Sequence, residues 1–220
     1  MFRCASLLIA GLFFAAVGQA QQGPYQEGRH YFRIPVAQPT HAAGKVEVIE
    51  VFSYGCPACS TFQPSVDAWK KTMPSNVHFS YLPADFNAGW PLLARAFYAA
   101  QALDLSERSH QRIFDTNYTQ KKPIRTEDDV VAVLSSLGVP AEKVRKTLSS
   151  FGIQTKLAQA RKRVIAYQVE STPSLVVNGK WRISGQGLSS QGEMIAVLKH
   201  VLQLEAAALP APATLPAPAK

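Results

Sequence analysis

Hydrophobic and polar positions change rhythm several times along this 220-residue chain. Between Lys45 and Ser53 the run KVEVIEVFS is rich in β-branched residues, which predicts a β-strand with its side-chain period of two. The period then lengthens. Phe62, Val66, Trp69 and Met73 recur at helical spacing and predict a helix that opens at CPAC and buries that stripe. Pro64 lies inside the pattern. It has no N–H to offer the carbonyl of Ser60, so it should kink the helix rather than end it. NVHFSYLP, Asn76 to Pro83, predicts a second strand.

The next eighty or so residues have an almost purely helical pattern. Between Trp90 and Leu103 only Arg95 and Gln101 are strongly polar, so that helix should be covered on most sides. TEDDVVAVLSSLG supplies an N-cap at Thr126, acids in the first turn and a left-handed cap at Gly138. Pro140 can start another helix, and a longer one should span 152–168. Strand signals return in SLVVNGKWRIS, where Asn178-Gly179 predicts a two-residue hairpin turn. The last helix begins near Ser190 with Glu193 completing a capping box, and it buries Met194, Val197, Leu198, Val201 and Leu202. From residue 205 the Ala/Pro repetition has no core-forming pattern and reads as a disordered tail. The order strand, helix, strand, helical block, hairpin, helix specifies an α/β fold, a mixed sheet interrupted by an all-helical insertion.

The N-terminus changes the setting of these elements. Arg3 precedes an apolar stretch from about Ala5 to Val17, followed by the small residues Gly18 and Ala20. This is the pattern of a secretory signal peptide of residues 1–20, cleaved near Ala20, and it is too short for a membrane span of about 20 apolar residues. Its removal discards Cys4, leaves Cys56 and Cys59 as the only cysteines, and places them in an oxidising compartment. The net charge is +8, or +7 without Arg3. Its basic runs, QKKPIR and ARKRV, lack aromatic interleaving and read as solvated helix faces, so nucleic acid is not an expected partner.

Two cysteines and five scattered histidines do not assemble a zinc site by spacing, so no metal is expected. A structural disulfide closing so small a loop would restrict the unfolded chain little. Redox chemistry fits better. If Cys56 caps the helix and Pro57 takes its first position, the sulfur faces unpaired N–H groups and the positive end of the dipole. That favours the thiolate and lowers the pKa from about 8.5. Cys59, one turn on, is within disulfide reach, which makes Cys56 the exposed attacking and leaving group and Cys59 its more buried resolving partner. Both electrons reside on sulfur, so no cofactor is needed.

Two further positions stay open on pattern alone. Alternation puts Glu50 on the strand face of Val46, Val48 and Phe52. It is either a glutamate at the sheet's rim paired with a lysine, or a partly buried acid with a raised pKa that exchanges a proton with Cys59. Pro173, in ESTPSLVV, could be an ordinary strand-start proline, and most X–Pro bonds are trans.

EVFSYGCPAC, STPSLVVNGKW and the helical block between them resemble the thioredoxin superfamily, specifically the DsbA family of exported thiol–disulfide oxidoreductases. The resemblance covers roughly residues 30–204. It implies a thioredoxin-like domain of residues 21–85 and 168–204, a helical insertion of residues 86–167, and the tail of residues 205–220. It also implies that Cys56 is the nucleophile, that Glu50 is the buried acid, and that Pro173 is a cis-proline facing the Cys56–Cys59 disulfide. Thr172, just before it, would pair its backbone with an extended substrate segment. The implied activity is donation of that disulfide to reduced, unfolded exported polypeptides in the periplasm. The enzyme would be a monomer, reoxidised by a quinone-linked membrane protein of the DsbB type. Two positions depart from the best-known members: Ala58 stands where they carry histidine, and Thr172 where many carry valine. With Pro57, Ala58 should therefore tune the potential, toward a less oxidising pair. An exported reductase or isomerase, or a thioredoxin-fold chaperone or binding module, is the competing reading. The short stretch between signal and Lys45 leaves no room for the N-terminal dimerisation region of an isomerase.

Overall fold

The strand beginning at Val46 is an interior strand of the sheet, with a neighbour on each side. The computed structural model describes residues 24–208. Its five strands are β1 (Phe32–Arg33), β2 (Val46–Phe52), β3 (Val77–Pro83), β4 (Ser174–Val177) and β5 (Trp181–Ser184), in the order β1-β5-β4-β2-β3. β3 is parallel to β2; β4 pairs antiparallel with β2 and β5, and β1 antiparallel with β5. Between β3 and β4 the chain makes α2 (Trp90–Ala102), α3 (Ser106–Phe114), a π-helical turn at Asp115–Thr119, α4 (Glu127–Ser135), α5 (Ala141–Leu148) and α6 (Phe151–Ala166). α1 (Pro57–Lys70) follows β2, and α7 (Gln191–Ala208) follows β5.

All seven β2 side chains are buried, because both faces of the strand are covered. On one face Val46 and Val48 meet Phe62, Val66 and Trp69 of α1 and Met194, Val197, Leu198 and Val201 of α7. On the other, Ile49, Val51 and Val176 join a core continuous with the helical block, including Phe97, Leu134, Leu148 and Val164. This two-sided burial fixes where β2 ends, and therefore where the cysteines begin.

Several local expectations need correction. α1 runs through Pro64 without a break but stops at Lys70, so Met73 packs on the core from the following turn instead of from the helix. Asn178 and Gly179 both have positive φ (52° and 63°), and the Lys180 N–H bonds the Val177 carbonyl, yet Val177 pairs with Trp181. The connection is thus a three-residue loop rather than a two-residue one. Lys180 is spared from the ladder because its carbonyl accepts the Ile34 N–H instead. Gly179 is needed here for a second reason: a Cβ would lie 2.2 Å from the Gln38 carbonyl oxygen. At α7, Ser190 caps the Glu193 N–H, but the Glu193 carboxylate turns to the Ser189 N–H and hydroxyl, so the capping box is displaced by one residue. Nor does a tail begin at 205. α7 continues to Ala208, and Glu205 is buried, accepting from Trp181 Nε1 (2.7 Å), Lys180 Nζ (2.9 Å) and Asn178 Nδ2 (2.5 Å). The two-residue β1 lies in a lead-in whose sequence gave no strand signal. Residues 1–20, where the sequence predicts a signal peptide, and the rest of the Pro/Ala tail lie outside the described residues.

Candidate active site

β2 delivers the chain to the N-terminus of α1, where Cys56 is the N-cap. Its backbone is extended (φ −101°, ψ 111°), and its Sγ accepts the Cys59 N–H at 3.3 Å. Pro57 occupies the start of the helix and, with Ala58, is exposed. Both cysteines are free thiols. A chain segment 116 residues away completes the environment: Cys56 Sγ–H points at the Thr172 carbonyl oxygen, 3.4 Å distant, and the Thr172–Pro173 peptide bond is cis. Cys56 is less exposed than its sequence position suggested. Only 6% of its surface is accessible, because the Thr172–Pro173 segment covers it, while Cys59 is wholly buried.

The Cys56 pKa is lowered to about 6. The hydrogen bond with the Cys59 side chain is the main cause; burial opposes it, and bonds from the Thr172 side chain and the Cys59 and Ala58 backbone add to it. Cys59 moves the other way. Burial pushes its thiol up, reinforced by Cys56 and by the charge of Glu50. One thiol is therefore ionised at neutral pH and its partner holds its proton.

Glu50 lies in the register position between Tyr81 on β3 and Leu175 on β4, with 1% of its surface exposed. Burial raises its pKa to about 8; Asp67 and Cys56 push in the same direction and Lys70 opposes. Its Oε2 has no hydrogen-bond partner, and among the described residues no lysine or arginine pairs with it. The rim position with a paired lysine is therefore not what the fold adopts.

Other residues of the site have no sequence signal, because packing brings them together from separate elements. Tyr54 OH and His110 Nδ1 are 3.0 Å apart, and His110 Nε2 lies 3.0 Å from Gln63 Oε1, all in a buried cluster. Burial, aided by Lys70, lowers the His110 pKa to about 3, so the ring is neutral. From the π-helical turn, Asn117 Nδ2 donates to the Tyr54 carbonyl (2.9 Å), which fixes the loop that leads into Cys56. Burial raises the pKa of the neighbouring Tyr118 to about 12, and the two cysteines add to the shift. Gly55 is required by close approach, since a Cβ there would lie 2.5 Å from Trp90 Nε1. Gln191 Nε2 donates to the Ala58 carbonyl (2.7 Å) and ties α7 to the start of α1. Beside that contact a groove of about 330 Å³ is lined by Ala58, Thr172, Pro173, Ser190, Gln191 and Met194. Among the described residues no three His, Cys, Asp or Glu side chains are grouped to hold a metal ion.

A thiol with a lowered pKa at a helix N-terminus, a buried thiol one turn on and a buried carboxyl are an arrangement suited to thiol–disulfide exchange. Over 204 residues, the chain is 32% identical to the thiol:disulfide interchange protein DsbA of Pseudomonas aeruginosa, covering 93% of this chain and 95% of that protein. The chain belongs to the DsbA family. Residues 90–193 match the DSBA-like thioredoxin domain. The crystal structure of Pseudomonas aeruginosa DsbA superposes with a TM-score of 0.78 at 32% identity, covering 84% of this chain and 96% of that one. Proteus mirabilis DsbA, solved with a non-covalently bound peptide PWATCDS, superposes with a TM-score of 0.67 at 25% identity, over 82% of this chain and 97% of that one. The enzyme is thus a DsbA-like thiol:disulfide oxidase with a thioredoxin-like fold, in which a helical block interrupts the sheet.

Proposed function

We propose that this oxidase donates a Cys56–Cys59 disulfide to reduced, unfolded polypeptides exported to the periplasm. The observation that carries the assignment of roles is the asymmetry of the two sulfurs, one capping a helix beside Thr172 and the other sealed beneath it.

In the oxidised enzyme a substrate thiolate attacks Cys56 Sγ, the intramolecular S–S bond breaks, and Cys59 leaves with the electron pair. Cys59 takes a proton from the Glu50 carboxyl, which is protonated below about pH 8. The substrate's second thiolate then attacks its own sulfur in the mixed disulfide and expels Cys56 as a thiolate. The substrate has lost two electrons and the enzyme has gained them. A low Cys56 pKa speeds the last step, since a stable thiolate leaves readily. The Thr172 backbone and the groove beside it receive the substrate as an added strand, with Pro173 facing the sulfurs. The peptide bound to the Proteus mirabilis relative supports a peptide-binding role.

The helical insertion of residues 86–167 is proposed as a cover for the site, since it supplies His110 and Asn117. The enzyme would act as a monomer after removal of residues 1–20. A quinone-linked membrane oxidase of the DsbB type would restore the disulfide.

Equilibration with a glutathione buffer tests the direction. A potential above about −180 mV supports net donation despite Ala58, and one near the roughly −270 mV of thioredoxin overturns it. In Cys59→Ala, substrate should stay trapped on Cys56 as a mixed disulfide. Trapping on Cys59 in the reciprocal Cys56→Ala variant would reverse the roles.

A further inference from the structure

The chain that enters Cys56 contains a glycine imposed by its neighbour: a Cβ on Gly55 would meet Trp90 Nε1 at 2.5 Å. Glycine explores more backbone than any other residue, so nothing intrinsic to the chain holds the Tyr54–Gly55 peptide in one orientation. Hydrogen bonds hold it instead, one on each side of the peptide plane. The Gly55 N–H donates to Ser53 Oγ (3.1 Å), and the Tyr54 carbonyl accepts from Asn117 Nδ2 (2.9 Å). The next plane is held by the Cys56 N–H, which donates to the Ser53 carbonyl (3.1 Å). Of these three tethers only Asn117 comes from outside the loop. Its other end is committed too, because Asn117 Oδ1 accepts the Ile124 N–H at 2.8 Å. One side chain thus joins the active-site loop to the helical block and to the segment that leads into α4.

The π-helical turn Asp115–Thr119 that carries Asn117 is a rare element, and such turns occur frequently at functional sites. The Gln120 N–H reaches back five residues to the Asp115 carbonyl (2.8 Å). Among the described residues, the Asn117–Tyr54 bond is the only side-chain hydrogen bond from this turn to the active-site loop. Tyr54 is fixed from the same block at its far end, with its hydroxyl 3.0 Å from His110 Nδ1 and its ring edge-on to Phe114. With that ring anchored, rotation of the Tyr54–Gly55 plane is the freedom that remains, and Asn117 opposes it.

We propose that Asn117 is a positioning residue for thiol–disulfide exchange, holding the Tyr54–Gly55 peptide so that Cys56 Sγ stays 3.3 Å from the Cys59 nitrogen. The inference rests on the reading of Cys56 as the attacking thiol. Both polar atoms of Asn117 are spent on backbone groups, so its influence on the sulfur passes through the loop. Release of the plane lets the N-cap residue turn away from the first turn of α1. The thiolate then loses part of the hydrogen bonding that favours it.

The test is the thiolate titration of the reduced enzyme, together with its glutathione equilibrium, in the parent and in variants. Asn117→Leu keeps the size of the side chain and removes both hydrogen bonds. The thiolate midpoint should rise by about half a pH unit or more, and the glutathione equilibrium should shift about threefold toward the oxidised enzyme. Asn117→Gln, which keeps the amide, should recover part of both. Asn117→Ser takes the place of the leucine variant if that one fails to fold. Leu148→Ala loosens the buried core of the helical block and leaves the hydrogen bonds of the loop in place. It should lower the urea midpoint and keep both readouts at parental values. A thiolate midpoint unmoved in Asn117→Leu, or moved equally in Leu148→Ala, overturns the positioning role. Were the titration to survive in Cys56→Ala, the reading of Cys56 itself would fail, and the positioning role with it.

Discussion

The sulfur of Cys56 lies 3.4 Å from the carbonyl oxygen of Thr172, across 116 residues of sequence. Helix α1 holds one partner and the turn into β4 holds the other, so their separation is set by the pairing of β2 with β4. This contact holds the sulfur against the segment proposed to receive the substrate.

Titration of the reduced enzyme by thiolate absorbance should give a midpoint near pH 6, assigned to Cys56 by its loss in Cys56→Ala. Alkylation at pH 7 should label Cys56 and leave Cys59 untouched. Because the folded value lies below the unfolded one of about 8.5, the stabilisation is lost as pH falls through 6. Glu50 has the opposite slope up to about pH 8, so the effect is read in a Glu50→Gln background. There, stability of the reduced form against denaturant should rise from pH 6 to 8.5. Above that Cys59, whose pKa is raised, works in the opposite direction. A flat profile across this window would contradict the assignment.

Thr172→Val removes a side-chain hydrogen bond to the thiolate while keeping the branched shape. The Cys56 midpoint should rise by about one pH unit, equivalent to about 1.4 kcal/mol. The glutathione equilibrium should move toward the less oxidising side by about 30 mV. An unchanged midpoint would mean that the Thr172 backbone alone matters.

Glu50→Gln should stabilise the protein at pH 8 and do little at pH 4. The carboxyl's folded value of about 8 lies above its unfolded one, so ionisation of the unfolded chain draws stability away as pH rises from about 4.5 to 8. The gain at pH 8 should be a few kcal/mol, measured by urea unfolding at both pH values. Exchange through Cys59 should slow at least tenfold over the same range, since a proton partner has been removed. Greater stability with undiminished exchange would make Glu50 a structural relic of the sheet.

Gly55→Ala forces Trp90 to move, because the added methyl would sit 2.5 Å from its indole nitrogen. The cost should be about 1–3 kcal/mol, with a change in tryptophan emission that is absent in Gly152→Ala, where a Cβ meets nothing within 4 Å.

The periodicities of the chain were enough to specify the fold class and most of its elements, because strand alternation and helical stripes are local consequences of which face is buried. They also placed Cys56 at a helix start, since Pro57 and the end of a strand are adjacent in sequence. Alternation told which way Glu50 faces but not how deep it lies. Depth depends on α1, β3 and β4 closing over it, and only the assembled sheet decides that. At Glu193 and at Asn178 a local preference fits two geometries, and the choice falls to a partner outside the local pattern. That partner is the neighbouring Ser189 hydroxyl in the one case and the distant Ile34 N–H in the other. His110, Gln63, Tyr81 and Thr172 meet the site from positions far apart in sequence, and no short-range pattern carries such distances. The sequence by itself therefore determined what chemistry the two cysteines could do. Tertiary structure decided which groups tune them, because the electrostatics of a buried sulfur is set by whatever packs within a few ångströms of it, whatever its place in the chain.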